Sequence, residues 1–162
     1  MLKYLITYLG TGVAFAALDA IYLTVAGQKV YRPTLDYALA DKPALVILEL
    51  GANDALRGID PKLVRANLDA MIKKIQASGA KLLLAGMKCP SNWGEHYQHE
   101  FERIYPELAQ ADGVALYPFF LDGVAMQPQL NQPDGLHPNA RGVAVIVERI
   151  APTVARLIGG PS

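Results

Sequence analysis

An unbroken apolar run that ends in a glycine constrains the fold of this chain more than any other feature. The run, Ala44–Leu50, is followed directly by the turn-like tetrapeptide Gly51–Asp54. A short apolar run bounded by turn residues is typical of a strand that is covered on both faces, as in a parallel sheet. The pattern therefore predicts a buried parallel strand, with the amide of Asn53 at its carboxyl end, where α/β proteins bind their ligands.

The residues after this run alternate between helical and extended patterns. Asp60 and Pro61 predict the start of a helix, as N-cap and first helical residue, and Ser78-Gly79 predicts its end. The later patterns predict two more strands and two more helices, over Lys81–Gly86, Tyr97–Ala109, Val114–Phe119 and Asn139–Ile158. Because short links join the alternating elements, we expect parallel pairing with right-handed crossovers and an α/β fold.

Composition and spacing argue against several kinds of function. The formal net charge is zero and no basic stripe is present, so we expect no nucleic-acid partner. Cys89 is the one cysteine, which rules out an intrachain disulfide. His96, His99 and Cys89 lack the paired spacing of a zinc site, so we expect no metal.

The front of the chain has a different composition from the rest. Between residues 4 and 27 the one charged side chain is Asp19, and basic residues flank the stretch at Lys3, Lys29 and Arg32. This pattern predicts a transmembrane helix or an uncleaved signal anchor. The alternatives are a cleaved signal peptide, which Asp19 disfavours, and a buried strand and helix of a soluble domain. Because composition changes near Pro33, we expect two parts, 1–32 and 33–162.

A second motif, Asp134-Gly135-Leu136-His137, places a carboxylate three residues before an imidazole, which is the base half of an acyl-transfer triad. With Gly51–Asp54, it makes the chain resemble the SGNH (GDSL) hydrolases, in particular the bacterial arylesterase and acyl-CoA thioesterase-I subgroup. From about Leu35 onward further segments follow the family order, namely Ile104-Tyr105-Pro106, Tyr117–Leu121 and Asn131–Pro138.

The resemblance implies a three-layer α/β/α, flavodoxin-like fold with a parallel sheet of strand order 2-1-3-4-5. This sequence has counterparts for strands three, four and five. No segment resembles the central first strand, the helix after it or the second strand. We therefore expect an N-terminally truncated version of the fold, preceded by the hydrophobic segment 1–32.

The resemblance also assigns roles to four residues. Asn53 would donate its side-chain amide to the oxyanion, and Gly51 would allow the backbone to turn closely there. His137 would be the general base, and Asp134 would hold its other ring nitrogen. Taken alone, Gly51–Asp54 is equally well explained as a simple turn after a strand. Because the Asp134–His137 block follows in the family order, the interpretation of Gly51–Asp54 as part of an active site is favoured over a simple turn.

The family's nucleophile block, Gly-Asp-Ser-Leu, does not occur in the 162 residues. Cys89 and Ser91 follow the strand Lys81–Gly86 and are candidate surrogates, since active sites lie at that edge of a sheet. Thr11 is a third candidate if Leu2–Leu9 replaces the missing strand. The alternative for Cys89 and Ser91 is that they only line the rim of a substrate site.

Residues 1–32 resemble the N-terminus of a family of small uncharacterised bacterial membrane proteins, through Lys3–Leu9, Ala17–Leu23 and Tyr31-Arg32. We therefore expect a location at a bacterial membrane or in the periplasm, with 4–27 as the membrane contact. Without a central strand, the edge of Ala44–Leu50 carries unpaired backbone groups. Either the N-terminal segment covers this edge, or a second copy does so in a homo-oligomer, or the protein aggregates.

The resemblance implies a hydrolase that cleaves short acyl or aryl esters, or thioesters, through an acyl-enzyme without metal or cofactor. Its partner would be a small ester substrate. The substrate site would be lined by Met87–Gly94 and Phe119–Met126, with Trp93 as a lid contact. The alternative is a catalytically inactive membrane-anchored or fusion protein derived from such a hydrolase. A third hypothesis, a flavodoxin-like binding module, is disfavoured because no strand leads into a glycine-rich phosphate loop.

Overall fold

Three parallel strands organise the part of the chain that the computed structural model describes, residues 43–159. They are β1 (Leu45–Leu48), β2 (Lys81–Ala85) and β3 (Ala115–Tyr117), and they lie side by side in that order. In the register of the sheet, Val46 lies opposite Leu82, and Leu84 lies opposite Leu116. The predicted α/β fold with a parallel sheet is confirmed, with β2 in the centre of the described strands.

Helices connect and follow the strands. They are α1 (Ala52–Arg57), α2 (Pro61–Ala77), α3 (Glu95–Glu102), α4 (Ile104–Asp112) and α5 (Ala140–Gly159). Two short 3₁₀ turns lie in the loops after β2 and β3, at Ser91–Trp93 and Pro128–Leu130. Helical structure thus follows each strand after its carboxyl end. This is the edge of the sheet where the sequence predicts the site.

The predicted ends of α2 are confirmed. The Asp60 side chain accepts a hydrogen bond of 2.9 Å from the backbone N–H of Lys62, and Pro61 is the first helical residue. At the other end Ser78 is the C-cap, and Gly79 follows with a φ of +81°. These local features stop the helix at both ends, so its apolar face has a fixed length.

The core lies around β2. Leu82 and Leu84 on one face of this strand pack in a cluster with buried residues of α2, α3 and α4. Leu83 and Ala85 on the opposite face are also buried. Coverage of both faces explains why the sequence of β2 is a continuous apolar run rather than an alternating one.

Two predicted elements have the wrong boundaries. The helix predicted over Tyr97–Ala109 is two helices, because Pro106 has no N–H to donate to the carbonyl of Glu102. Arg103 between them keeps right-handed helical angles, so the two helices share one apolar face. The strand predicted over Val114–Phe119 is shorter.

The tetrapeptide Gly51–Asp54 also differs from its prediction as a turn. Gly51 is instead the N-cap of α1, and Asn53 lies inside the first turn of that helix. The sequence between strand and α2 is too rich in turn residues for its helical pattern to be recognised.

Several predictions fall on residues that the structure does not describe, namely 1–42 and 160–162. The predicted span 4–27, the boundary near Pro33 and Thr11 all lie outside the described residues. Within residues 43–159, no helix is long and apolar enough to cross a membrane. In the same part of the chain β1 pairs with β2 alone, so its coverage by a homo-oligomer stays a prediction.

Candidate active site

His137 and Asp134, here called the dyad, are in direct contact. The ring Nδ1 of His137 lies 2.7 Å from Oδ2 of Asp134. The other carboxylate oxygen, Oδ1, accepts hydrogen bonds from the backbone N–H groups of Leu136, at 2.9 Å, and His137, at 3.0 Å. The backbone amide and ring of His137, with the amide of Leu136, lower the pKa of Asp134 to about 2. The carboxylate is therefore charged at neutral pH and holds the ring by Nδ1.

The turn that carries the dyad, residues 131–139, is closed at its base and is called the dyad loop below. Asn131 and Pro138 form an isolated antiparallel bridge. The backbone N–H of Gln132 donates to the carbonyl of His137 at 2.7 Å. The two ends of the loop are thereby held together, so the dyad projects from a closed turn. The His137 side chain is largely exposed, and the Asp134 side chain is partly exposed.

Asn139 joins this loop to the start of α5. Its Oδ1 accepts from the backbone N–H of Arg141 at 2.9 Å and of Gly142 at 3.1 Å, which confirms the predicted helix cap. Its Nδ2 donates to the carbonyls of Gln129, at 3.1 Å, and Asn131, at 3.0 Å. One amide side chain therefore joins the helix start to the segment that enters the dyad loop.

Asn131 is the one polar residue in the buried set of the described chain. Its Nδ2 donates to the carbonyls of Val124, at 2.8 Å, and Gln127, at 2.9 Å. Sequence reasoning did not find this role, because an asparagine between Leu130 and Gln132 looks like an ordinary loop residue. A buried amide that satisfies two carbonyls fixes the approach of the preceding loop to the dyad.

The second candidate group, Asn53, lies in the first turn of α1. Its side chain is exposed and makes no hydrogen bond to the described residues. Gly51, two residues earlier, has a φ of +108°, which side chains other than glycine's rarely allow. A close backbone approach at Gly51 is expected from the sequence, and a Cβ there would overlap with the hydroxyl oxygen of Tyr105.

The two groups lie at the same edge of the sheet. Asn53 follows β1 and the dyad loop follows β3, and the strands are parallel, so both come after carboxyl ends. One strand, β2, separates them, which puts the ends of β1 and β3 about 10 Å apart. Within the described residues no hydrogen bond joins Asn53 to His137. The fold thus gathers the candidate groups at one edge, and a substrate between them would span that gap.

The two surrogate nucleophiles of the described chain have different environments. Cys89 is buried, and its Sγ lies 3.1 Å from the carbonyl of Pro90. Burial, together with the nearby Glu102 carboxylate, raises the pKa of the Cys89 thiol and disfavours the reactive thiolate. Ser91 is exposed at the first residue of the 3₁₀ turn after β2. Neither side chain is hydrogen-bonded to His137.

The segments predicted to line an acyl site take up separate positions. Trp93 lies against Gly58 at the end of α1 and is 46% exposed. The Lys88 ammonium stands 5.2 Å from the centre of the Phe119 ring. Met126 is almost fully exposed and has a φ of +60°. It borders an open cleft of about 500 Å³ beside the dyad loop, together with Pro128, Asn131, Gln132, Pro133 and Gly135.

A family model, described as the GDSL-like Lipase/Acylhydrolase family, matches residues 7–145. The chain belongs to this family. The match begins well before Leu35, so it reaches further toward the N-terminus than the resemblance seen in the sequence. The predicted family and its α/β fold are confirmed, and with them the general class of hydrolase.

Two curated relatives and two solved structures are similar to the chain. Esterase TesA of Pseudomonas aeruginosa is 42% identical over 135 residues, which cover 83% of this chain and 66% of that protein. An arylesterase of Vibrio mimicus is 44% identical over 109 residues, or 67% of this chain and 54% of that protein. The crystal structure of TesA superposes with a TM-score of 0.68 at 42% identity, covering 77% of this chain and 68% of that one.

The psychrotrophic esterase EstA from Pseudoalteromonas sp. superposes with a TM-score of 0.70 at 30% identity, over 79% of this chain and 68% of that one. The chain therefore spans between about half and two thirds of the curated relatives named above. Their names describe esterases.

Proposed function

We propose that this family member hydrolyses short acyl or aryl esters, or thioesters, with His137 as general base and Asn53 as an oxyanion donor. The observation that carries the proposal is the hydrogen bond of 2.7 Å between Nδ1 of His137 and Oδ2 of Asp134. A carboxylate in that position selects the tautomer with the proton on Nδ1. The Nε2 lone pair then points away from the carboxylate and is available as a base.

In the proposed reaction, Nε2 of His137 takes the proton of an attacking hydroxyl while its oxygen bonds to the carbonyl carbon of the ester. The Asp134 carboxylate stabilises the imidazolium that forms. The carbonyl oxygen becomes an oxyanion, and the exposed Nδ2 of Asn53 is a donor at the same edge of the sheet. Nε2 returns the proton to the leaving oxygen or sulfur as the bond to the acyl carbon breaks. Where the attacking hydroxyl belongs to the protein, water then attacks the acyl-enzyme with the same base, and the bond to the protein oxygen breaks to release the acid.

The attacking group is a protein hydroxyl, a protein thiol or water. Among the described residues Ser91 is the better candidate, because it is exposed in the loop that follows β2, between the strands that lead to Asn53 and to the dyad. Cys89 is a poor candidate because its buried thiol has a raised pKa. Thr11 stays a prediction outside the described residues.

The substrate class follows from the names of the relatives. They are an esterase, an arylesterase and, at 36% identity, a protein named thioesterase 1/protease 1/lysophospholipase L1 from Escherichia coli. The common chemistry of an ester, an aryl ester and a thioester is attack on an acyl carbonyl. We therefore assign short acyl esters and thioesters rather than any single substrate.

The test is hydrolysis of p-nitrophenyl acetate and of an acetyl thioester by the full chain and by His137→Ala. We expect the rate above buffer to fall on the order of 100-fold or more in the variant, because general base catalysis is lost. The matched control is His99→Ala, since His99 is also exposed and lies beside a carboxylate, that of Glu100 at 3.7 Å. Equal rates in both variants would contradict the role of His137.

The nucleophile can be identified in the same preparation. A fluorophosphonate probe followed by peptide mass spectrometry would place the label on Ser91, Thr11 or Cys89. Ser91→Ala should abolish a label on Ser91 and lower hydrolysis to the level of His137→Ala. Hydrolysis without any label would identify water as the attacking group.

A second candidate function is that of a catalytically inactive protein derived from a hydrolase. One observation favours it: within residues 43–159 no hydroxyl or thiol is hydrogen-bonded to His137. In that case neither ester nor thioester is hydrolysed above buffer, and His137→Ala behaves as the parent does.

A further inference from the structure

Four aromatic side chains form a continuous row of neighbouring rings beside the Asn53 region and are here called the aromatic ladder. They occur at every fourth residue, so they lie on one face of successive helical turns. The distances between neighbouring ring centres are 6.3, 6.2 and 5.8 Å. In order along the chain, from the 3₁₀ turn through α3 into α4, the ladder consists of Trp93, Tyr97, Phe101 and Tyr105.

Two hydroxyls of the ladder reach the backbone on either side of α1. Tyr105 donates to the carbonyl of Leu50 at 3.0 Å, and Tyr97 donates to the carbonyl of Ile59 at 2.7 Å. Leu50 and Ile59 flank the helix that carries Asn53, and the stretch between them, Leu50–Ile59, is called the Asn53 segment. The segment is therefore hydrogen-bonded to the same aromatic ladder at both ends.

Two glycines allow the segment to approach the ladder this closely. Gly51 has no room for a Cβ beside the hydroxyl of Tyr105, and a Cβ on Gly58 would lie 2.9 Å from ring atoms of Trp93. Both residues have positive φ, of +108° and +64°. The backbone is thus in direct contact with aromatic rings at both ends of α1, which only glycine permits in these conformations.

α1 is too short to hold its own direction. It has six residues, and isolated helices of fewer than about 12 residues are marginal in water. Ala55 is its one buried residue, with an exposed fraction of 1%. The orientation of α1, and with it the direction of Asn53, must therefore come from contacts outside the helix.

We propose that Tyr105 and Tyr97 are positioning residues for Asn53, because their hydroxyls fix the two ends of the segment that carries this amide. The inference rests on the proposed function only in its catalytic consequence, which is that Asn53 would meet the oxyanion in a set geometry. The positioning itself is a property of the folded chain. Burial, followed by the charges of Asp54 and Glu49, raises the pKa of Tyr105, so its hydroxyl keeps the donated proton.

The experiment is amide hydrogen exchange and two-dimensional NMR on the full chain with Tyr105→Phe and Tyr97→Phe. Ala55 donates its amide proton to Gly51, and Ile59 donates its amide proton to Asp54, so the two amides report on the two ends. We expect Tyr105→Phe to accelerate exchange at Ala55, and Tyr97→Phe at Ile59, on the order of tenfold. The Asn53 side-chain amide signal should shift in both variants.

The matched control is Tyr117→Phe in β3, since the Tyr117 hydroxyl makes no hydrogen bond to the described residues. Exchange in β2, for example at Leu83, measures global unfolding in every variant. Acceleration at Ala55 or Ile59 that equals the change at Leu83 would overturn the proposal, as would an unshifted Asn53 signal. If Tyr105→Phe does not fold, the exchange rate at Ile59 in Tyr97→Phe decides the proposal, since Tyr97 lies at the partly exposed end of the segment.

Hydrolysis separates this inference from the proposed function. If the parent hydrolyses esters, both tyrosine variants should lower kcat with little change in KM, because an oxyanion donor acts in the transition state. A rate unchanged in both variants would overturn the catalytic consequence. If the parent is inactive, the proposed function fails while the exchange and NMR results still decide whether the hydroxyls position Asn53.

Discussion

In the dyad loop, the hydrogen bonds that shape the turn join residues no more than 10 positions apart along the chain. The Asn53 segment is held instead by hydroxyls 38 and 55 positions away. Both regions present a polar side chain at the carboxyl edge of the same sheet. A local turn of this kind depends mainly on its own residues, whereas a segment held from a distance depends on the packing of two further helices. The two regions should therefore respond to different perturbations.

The largest loss of stability is expected for Gly51→Ala. A Cβ at this position meets the Tyr105 hydroxyl, and the φ of +108° is itself costly for alanine. We expect the free energy of unfolding to fall by about 3 kcal/mol. Urea denaturation of the full chain would measure the loss, and the dyad loop should keep its NMR signals.

Two variants sharpen this result. Gly79→Ala has a φ of +81° with no atom near the added Cβ, so it carries the backbone strain without the overlap and should cost less. Adding Tyr105→Phe to Gly51→Ala removes the overlapping oxygen and leaves ring carbon Cζ at an ordinary 3.4 Å. The double variant should recover part of the loss. If the double variant loses more stability than the losses of the two single variants added together, the overlap is not the cause of the loss in Gly51→Ala.

A smaller loss of stability is expected for Asn139→Ala, which removes hydrogen bonds inside the dyad loop. The variant loses the cap of α5 and the two hydrogen bonds to the loop base, so we expect a loss of about 2 kcal/mol. Asn139→Ser keeps an oxygen for the cap and should lose less. Denaturation measures both, and the effects of Asn139→Ala and Gly51→Ala should be additive if the regions are independent. Strong coupling between them would contradict the comparison.

The smallest effect is a pH response confined to the dyad loop. The pKa of Asp134 is lowered from 3.8 to about 2, so its hydrogen bonds stabilise the loop fully above the ordinary value. This contribution is lost as the pH falls from about 3.8 toward about 2. The backbone amide signals of Leu136 and His137 should shift over that range, while that of Leu83 inside β2 should not.

The control for this titration is Asp134→Asn, which keeps an acceptor oxygen and removes the ionisation. Its amide signals at Leu136 and His137 should be flat through the same acid range. A Leu83 amide signal that moves together with those of the loop would show that the acid transition is global.

The parts that could be predicted from the sequence are those with a local cause. Asp60 and Pro61 start α2, Asn139 caps α5, and the spacing of Asp134 and His137 brings the two side chains together within one turn. The break after Glu102 was missed although Pro106 signals it, because the apolar spacing continues across it. The helix at Asn53 was missed because Gly51–Asp54 favours a turn when considered alone.

By itself, the sequence determined the family, the parallel strands and the residues that bring a carboxylate to an imidazole, since each depends on neighbours along the chain. Only the tertiary structure decided that Tyr105 and Tyr97 hold the two ends of the Asn53 segment, and that Cys89 is buried. The physical reason is that these contacts join residues far apart in sequence. Their geometry is set by how α3 and α4 pack beside β1 and β2, which no local pattern encodes.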